Sequence, residues 1–143
     1  MKEYSEAIHI RWSDLDPNFH VRHSVYYDWA AQIRTQFIVS HGLTPAVMQK
    51  HQFGPVLFRE EALFKRELKF GDNLLINCMA SKLRKDYSRF SMRHHITRGD
   101  KLCAVVNIDG AWINTQTRKL TAPPKIGITM VEAMPRTEDF EWV

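Results

Sequence analysis

Two hydrophobic periods follow one another in this chain, and their order limits the folds open to it. From Val25 the apolar residues recur at helical spacing, at Val25, Trp29, Ile33 and Phe37, flanked by Tyr26, Ala30 and Ile38. From Val56 they alternate: Val56, Phe58, Ala62, Phe64, Leu68 and Phe70 share one parity, while Arg59, Glu61, Lys65, Glu67 and Lys69 hold the other. Leu74 to Arg84, Tyr87 to Thr97 and Lys101 to Asn114 continue the strand pattern. The turns between them are Gly71-Asp72-Asn73, Lys85-Asp86 and Arg98-Gly99-Asp100. A further alternating stretch, residues 4–12, precedes the helix. One long helix followed by consecutive strands buries its stripe only against their sheet. The expectation is an α+β fold, an antiparallel sheet of about five strands wrapped around one long helix.

Local signals set the boundaries. Ser24 is the expected N-cap, Asp28 puts a negative charge in the first turn, and His41-Gly42 supplies the stop. The helix 24–40 then holds about 17 residues and is roughly 25 Å long. Thr44-Pro45 starts a second, short helix to about Lys50, ended by Gly54-Pro55. Val56–Phe70 reads as one strand, and Leu102, Ala104, Val106, Ile108 and Trp112 as one face of another. The tail, residues 125–143, offers a short helix around Ile128–Met134 and no clear signal after it.

The chain has 143 residues, enough for one domain, 1–143. With 44% hydrophobic and 25% charged residues, wholesale disorder is excluded. The apolar run Leu102–Val106 falls far short of the roughly 20 residues of a membrane helix. The opening MKEYSEAIHI lacks a signal peptide's apolar stretch, so a cytoplasmic location is the expectation. Cys78 and Cys103 form no C-x-x-C pair and read as buried thiols. The formal charge of +4 suits an anionic partner.

The segment Arg11-Trp12-Ser13-Asp14-Leu15-Asp16-Pro17-Asn18-Phe19-His20-Val21-Arg22-His23 concentrates carboxylates and imidazoles just before the helix. Free N–H groups at a helix start suit a developing oxyanion. A carboxylate held nearby is a nucleophile or a general base. That is equipment for acyl transfer; an Asp-rich turn capping a helix is the plainer reading of the same residues.

The stretch RWSDLDPNFHVRHSVYYDWAAQIR resembles the signature of hotdog-fold acyl-CoA thioesterases of the 4-hydroxybenzoyl-CoA thioesterase-like group. In that pattern a strand ends in Arg/aromatic-x-Asp-x-Asp, and a loop with His-Val leads into a Tyr-bearing helix. Phe64 to Asp72 resembles the family's second segment, and Trp112 through Pro124 its closing strand. The resemblance spans about residues 4–124. It implies hydrolysis of an acyl-CoA thioester without a cofactor, with Asp16 as nucleophile or general base. The backbone N–H of His23 would polarise the carbonyl, and His20 would line the substrate or brace the loop. Many relatives have Gly where this chain has Phe19. Relatives also build each site at a dimer interface, so a homodimer or homotetramer is expected. A hotdog hydratase or dehydratase, or a non-catalytic acyl-CoA-binding protein, is the alternative.

Three further features are weighed on the residues themselves. Glu60 has the parity of the apolar face, where a carboxylate is costly unless paired or functional. It is a second acid or base for catalysis, or it is turned outward by a bulge or paired with Arg66. Lys82, Arg84, Lys85, Arg89 and Arg93 cluster around one hairpin. The resemblance points to Arg84 and Lys85 as contacts for the coenzyme A phosphates; a solvated basic hairpin is the other reading. Nucleic acid is not expected, because Tyr87 and Phe90 fall on opposite faces. Metal is not expected either: adjacent His94 and His95 point to opposite faces, and the Asp16, His20 and His23 segment is accounted for without an ion.

Overall fold

The computed structural model describes residues 3–143. The elements are β1 (Ser5–Ile8), α1 (Val25–Ser40), α2 (Pro45–Lys50), β2 (Phe53–Phe64), β3 (Leu74–Asn77), β4 (Met79–Leu83), β5 (Arg89–Arg98), β6 (Lys101–Asn114), α3 (Lys125–Ala133) and β7 (Arg136–Trp142). β2 pairs with β6 and β6 with β5, both antiparallel. β3 and β4 share the far side of β5, and carry β1 antiparallel and β7 parallel.

The α+β expectation holds, with seven strands rather than about five. The extra ones have local causes. The expected strand Leu74–Arg84 changes neighbours at Cys78, whose N–H goes to Tyr4 O, while Ala80 N–H goes to Pro135 O. The tail supplies β7. Its mostly charged sequence hides a strand held by the β4 ladder and by Arg93–Asp139 (2.9 Å) and Lys82–Glu141 (3.5 Å). β1 is shorter than residues 4–12, because Trp12–Asp14 turns into a 3-10 helix. β2 begins earlier than Val56: Gly54 and Pro55 sit in the strand, where an edge position tolerates proline. It stops at Phe64, and the Lys65 and Arg66 N–H groups both turn to the Cys103 carbonyl.

α1 buries Val25, Tyr26, Ala30, Ile33, Arg34 and Phe37 against the sheet. Trp29 is half-buried at the rim. Ser24 does not cap the helix with its side chain; its backbone is already helical and its Oγ accepts from Arg22. Gly42, at φ 91°, ends α1 as expected, and Thr44 Oγ1 caps α2 by accepting the Val47 N–H. Arg34 is the exception on the apolar stripe. Its Nη1 donates to His94 Nε2 (3.1 Å), and His94 Nδ1–H donates to the Asn77 carbonyl (2.8 Å). A carbonyl only accepts, so the proton sits on Nδ1 and Nε2 is free to accept. Burial, reinforced by Arg34, pushes His94 down to about 3, so the ring is neutral at physiological pH. Cys78 and Cys103 are buried free thiols, and burial pushes Cys78 up to about 12. Among the described residues no helix is long and apolar enough to cross a membrane.

Candidate active site

The two aspartates of the D-x-D pair do different work. Asp14 is fully buried and accepts the Arg11 N–H (2.9 Å), Nη2 (2.8 Å) and Nε (3.1 Å). Burial disfavours its charge, but the Arg11 hydrogen bonds and positive charge outweigh that and hold it below the usual carboxylate range. Asp14 thus anchors the loop. Asp16 is only half-buried. Its Oδ1 accepts the N–H groups of Asn18 (2.8 Å) and His20 (3.1 Å), and its Oδ2 has no partner among the described residues.

Residues 15–21 form a miniature hairpin. Asp16 N–H donates to the His20 carbonyl (2.8 Å), Leu15 bridges Val21, and Val21 N–H is sewn to Leu68 O (2.8 Å). Phe19 sits at its tip with φ 64°. A residue with a Cβ pays roughly 1–2 kcal/mol for that conformation, and Gly does not. The departure from the family's Gly therefore leaves the turn in place at an energetic cost. The Phe19 ring points away from the cavity onto Trp12 (5.8 Å), which meets Phe70 edge-on (5.9 Å).

Asp16, His20 and His23 line one cavity of about 340 Å³ with Tyr26 and Phe64, whose rings meet at 4.9 Å. Lys65, Arg66 and Glu67 complete its rim. The backbone N–H of His23, just before α1, has no acceptor among the described residues. His20 Nε2 lies 3.2 Å from Glu67 Oε2. Asp16, with a free carboxylate oxygen, and His23, with an unclaimed helix-start N–H, thus line the same space. A carbonyl placed there meets a nucleophile or base on one side and a hydrogen-bond donor on the other.

Asp16, His20 and His23 are therefore brought together as the sequence suggested. Glu60 is not, within one protomer. It faces the helix side, opposite Ile108, but β2 is the sheet edge and leaves it exposed. Four residues of strand put it about 13 Å from Phe64. The β2 bulge falls between Leu57 and Arg59 and does not turn Glu60 to the outer face. Arg84 and Lys85 lie at the other end of the sheet. Their hairpin abuts Ala111, while Phe64 faces Ala104, a separation of about 23 Å along β6. Arg84 Nε is 3.7 Å from Asp86 Oδ1. Lys65, Arg66 and Glu67 were missed as site residues. Strand alternation assigned Lys65 and Glu67 to solvent, and the strand's end at Phe64 breaks that alternation. Among the described residues no group of three or more His, Cys, Asp or Glu side chains is placed to hold a metal ion.

The family model described as the thioesterase-like superfamily matches residues 10–132. No curated protein sequence matches the chain. Among solved structures, a hypothetical protein from Staphylococcus aureus in complex with CoA superposes with a TM-score of 0.84 at 20% identity, covering 95% of this chain and 88% of that one. A 1,4-dihydroxy-2-naphthoyl-CoA thioesterase from Synechocystis gives 0.81 at 17% identity, covering 92% and 97%. A gentisyl-coenzyme A thioesterase gives 0.75 at 18% identity, covering 89% and 98%.

Proposed function

This chain belongs to the thioesterase-like superfamily and has the hotdog fold, and we propose that it hydrolyses an acyl-CoA thioester to a free acid and CoA. The observation that carries the reading is the unpartnered Oδ2 of Asp16 in the same cavity as the unclaimed N–H of His23. In the proposed reaction the thioester carbonyl oxygen accepts the His23 N–H, which, with the positive end of α1, stabilises the developing oxyanion. Asp16 either removes a proton from the attacking water or attacks the carbonyl itself, forming an anhydride that water then opens. The thiolate leaves and takes up a proton. His20, fixed through its backbone to Asp16 and through its ring to Glu67, holds the loop against the substrate.

A second copy of the chain belongs to this reading. The outer edge of β2 is a 12-residue strand edge without a neighbour among the described residues, and its Leu63 and Phe64 are exposed. Such an edge is satisfied by a two-fold partner.

The test is thiol release from a panel of straight-chain, branched and aryl acyl-CoA thioesters. Turnover that is lost in Asp16→Asn supports the reading. Tight acyl-CoA binding with no thiol release across the panel would replace it with a binding protein. Single-turnover hydrolysis in ¹⁸O-water separates the two roles of Asp16, since only a nucleophilic carboxylate returns solvent oxygen to the protein.

A further inference from the structure

Trp12, Phe19 and Phe70 meet in the open beside the loop that carries Asp16, at 68%, 60% and 55% exposure. We infer that these three rings, with the cations around them, dock the protein on an anionic lipid bilayer and hold the Asp16 cavity at its surface. The docking is independent of the thioesterase reading; its kinetic consequence rests on that reading.

The cluster is drawn from three places in the chain. Trp12 opens the 3-10 turn after β1, and Phe19 stands at the tip of hairpin 15–21. Phe70 joins them because Lys69 bridges His20, which lays the segment after β2 along that hairpin. Trp12 then meets both other rings, at 5.8 Å and 5.9 Å. None of the three packs against the hydrophobic core, and none lines the Asp16 cavity. The positive φ at Phe19 is therefore held for a ring that serves neither. An aromatic cluster kept out of the core at a cost in backbone strain points to a use outside the protein.

Charge selects the occupant. Arg22, Lys65, Arg66 and Lys69 lie on the segments that carry the rings, and none makes an ion pair among the described residues. The acids of those segments are engaged: Asp14 pairs with Arg11, Glu67 meets the His20 ring, Asp72 pairs with Arg98, and Asp16 lines the cavity. The patch thus presents unpaired positive charge around apolar rings. An anionic headgroup layer over an apolar interior has the complementary profile, and Trp favours that boundary. Size argues the same way. The exposed parts of the three side chains amount to roughly 400 Å². Each side of a stable protein interface needs about 800 Å². Rings at a hairpin tip, flanked by cations, are enough to enter a headgroup layer. A long-chain acyl thioester of CoA is itself an amphiphile that partitions into bilayers, so the docked protein meets its substrate where that substrate gathers.

Vesicle binding tests the docking without reference to activity. The probes are vesicles of phosphatidylcholine alone, and of three parts phosphatidylcholine to one of phosphatidylglycerol. The protein should sediment with the second and not with the first, and added salt should weaken the binding. Trp12 fluorescence should shift to the blue on binding. Trp12→Phe, which keeps a ring, should still bind and lose most of that shift, so the contact is read even if a more drastic variant is unstable. The combined change Trp12→Ser, Phe19→Gly and Phe70→Ser should weaken binding roughly tenfold or more, and Lys69→Glu about fivefold. All four positions are exposed, and a thermal melt checks that the variants fold. No binding to the anionic vesicles, or binding that the triple variant keeps, overturns the proposal. So does a triple variant that sediments as a smaller oligomer than wild type, because a second copy then covers the rings.

Kinetics then test what the docking is for. With a short-chain acyl-CoA free in solution, the triple variant should match wild type in kcat and KM. With a long-chain acyl-CoA carried in the phosphatidylglycerol vesicles, its kcat/KM should fall about as far as its binding does. A raised KM for the soluble substrate would place the rings in the substrate site and overturn the proposal. Equal rates on the vesicle-borne substrate would overturn the kinetic part. A wild-type protein that binds the vesicles and hydrolyses no acyl-CoA would sink the function and leave the docking standing.

Discussion

Asp16 Oδ1 accepts the backbone N–H of His20 at 3.1 Å, so one oxygen of the carboxylate builds the loop and the other is left for chemistry. Asp16→Asn separates the two duties. Asparagine keeps an oxygen for the Asn18 and His20 N–H groups, so the loop and the melting temperature should hardly change. It neither takes a proton from water at neutral pH nor attacks as a carboxylate. The expected loss in kcat is about 10²- to 10⁴-fold, and more if Asp16 is the nucleophile. Steady-state kinetics beside a thermal melt checks both halves; a kcat within a few-fold of wild type would remove Asp16 from the reaction.

Phe19 tests whether the departure from the family's Gly touches the substrate. Its ring lies on Trp12 and does not line the cavity. Phe19→Gly relieves the positive-φ strain but adds chain entropy to the unfolded state, so stability should move by less than about 1 kcal/mol. kcat and the acyl-chain preference should stay as they are. A shifted preference in the acyl-CoA panel would show that the ring reaches the acyl group.

The α+β architecture was legible because it rests on period. The helix stripe from Val25 to Phe37 and the strand from Lys101 to Asn114 needed no tertiary information. The Asp16 loop was legible because its turn residues and the helix start are contiguous. What escaped depends on contacts distant in sequence. Lys65 and Arg66 leave the strand alternation only because both N–H groups turn to Cys103 O. Arg34 is buried on a helix stripe only because His94, sixty residues away in sequence, accepts its hydrogen bond. β7 is mostly polar, and it becomes a strand only because β4 offers a parallel edge. Glu60 lies opposite the buried Ile108 even though a bulge between Leu57 and Arg59 interrupts the alternation that Val56 and Phe58 began, and period carries no sign that β2 would be an edge.

Gly110 is fixed by packing rather than by backbone dihedral. A Cβ there would lie 2.6 Å from the Val56 carbonyl oxygen and 2.8 Å from the Phe90 ring. The carbonyl belongs to the β2–β6 ladder and cannot step aside cheaply. Gly110→Ala should therefore cost about 1–3 kcal/mol, the usual range for overpacking. Chemical denaturation measures it. An unchanged midpoint would mean that the two strands separate there more easily than this packing allows.

The Arg34–His94 pair makes stability depend on pH with a definite sign. Burial pushes His94 from the ordinary 6.5 down to about 3 in the folded protein. Between those values the unfolded chain binds a proton that the folded one does not, so stability falls as pH drops from about 6.5 toward 3. The slope from this one group approaches, at most, about 1.4 kcal/mol per pH unit. His94→Gln keeps a donor for Asn77 O and an acceptor for Arg34, but does not titrate. Its unfolding free energy should decline less steeply than that of wild type below pH 6.5. Parallel curves for the two proteins would show that His94 is protonated without unfolding.

Arg84 and Lys85 are proposed to hold the phosphates of CoA, and geometry sets the form of that test. They stand about 23 Å along the sheet from the Asp16 cavity, so any phosphate they hold lies far from the reacting carbonyl. A phosphate handle far from the reacting carbonyl binds the ground state and the transition state alike. Its loss should appear in KM and leave kcat nearly unchanged. The double change Arg84→Ala and Lys85→Ala should raise KM for acyl-CoA severalfold at low ionic strength. The difference from wild type should shrink as salt screens the exposed charges. An acyl thioester of pantetheine, which lacks the nucleotide, supplies the control: its KM should be the same for both proteins. If KM rises equally for the two substrates, the hairpin acts on the fold and not on the phosphates. If it rises for neither, the cluster is a solvated turn, with Arg84 engaged by Asp86 at 3.7 Å.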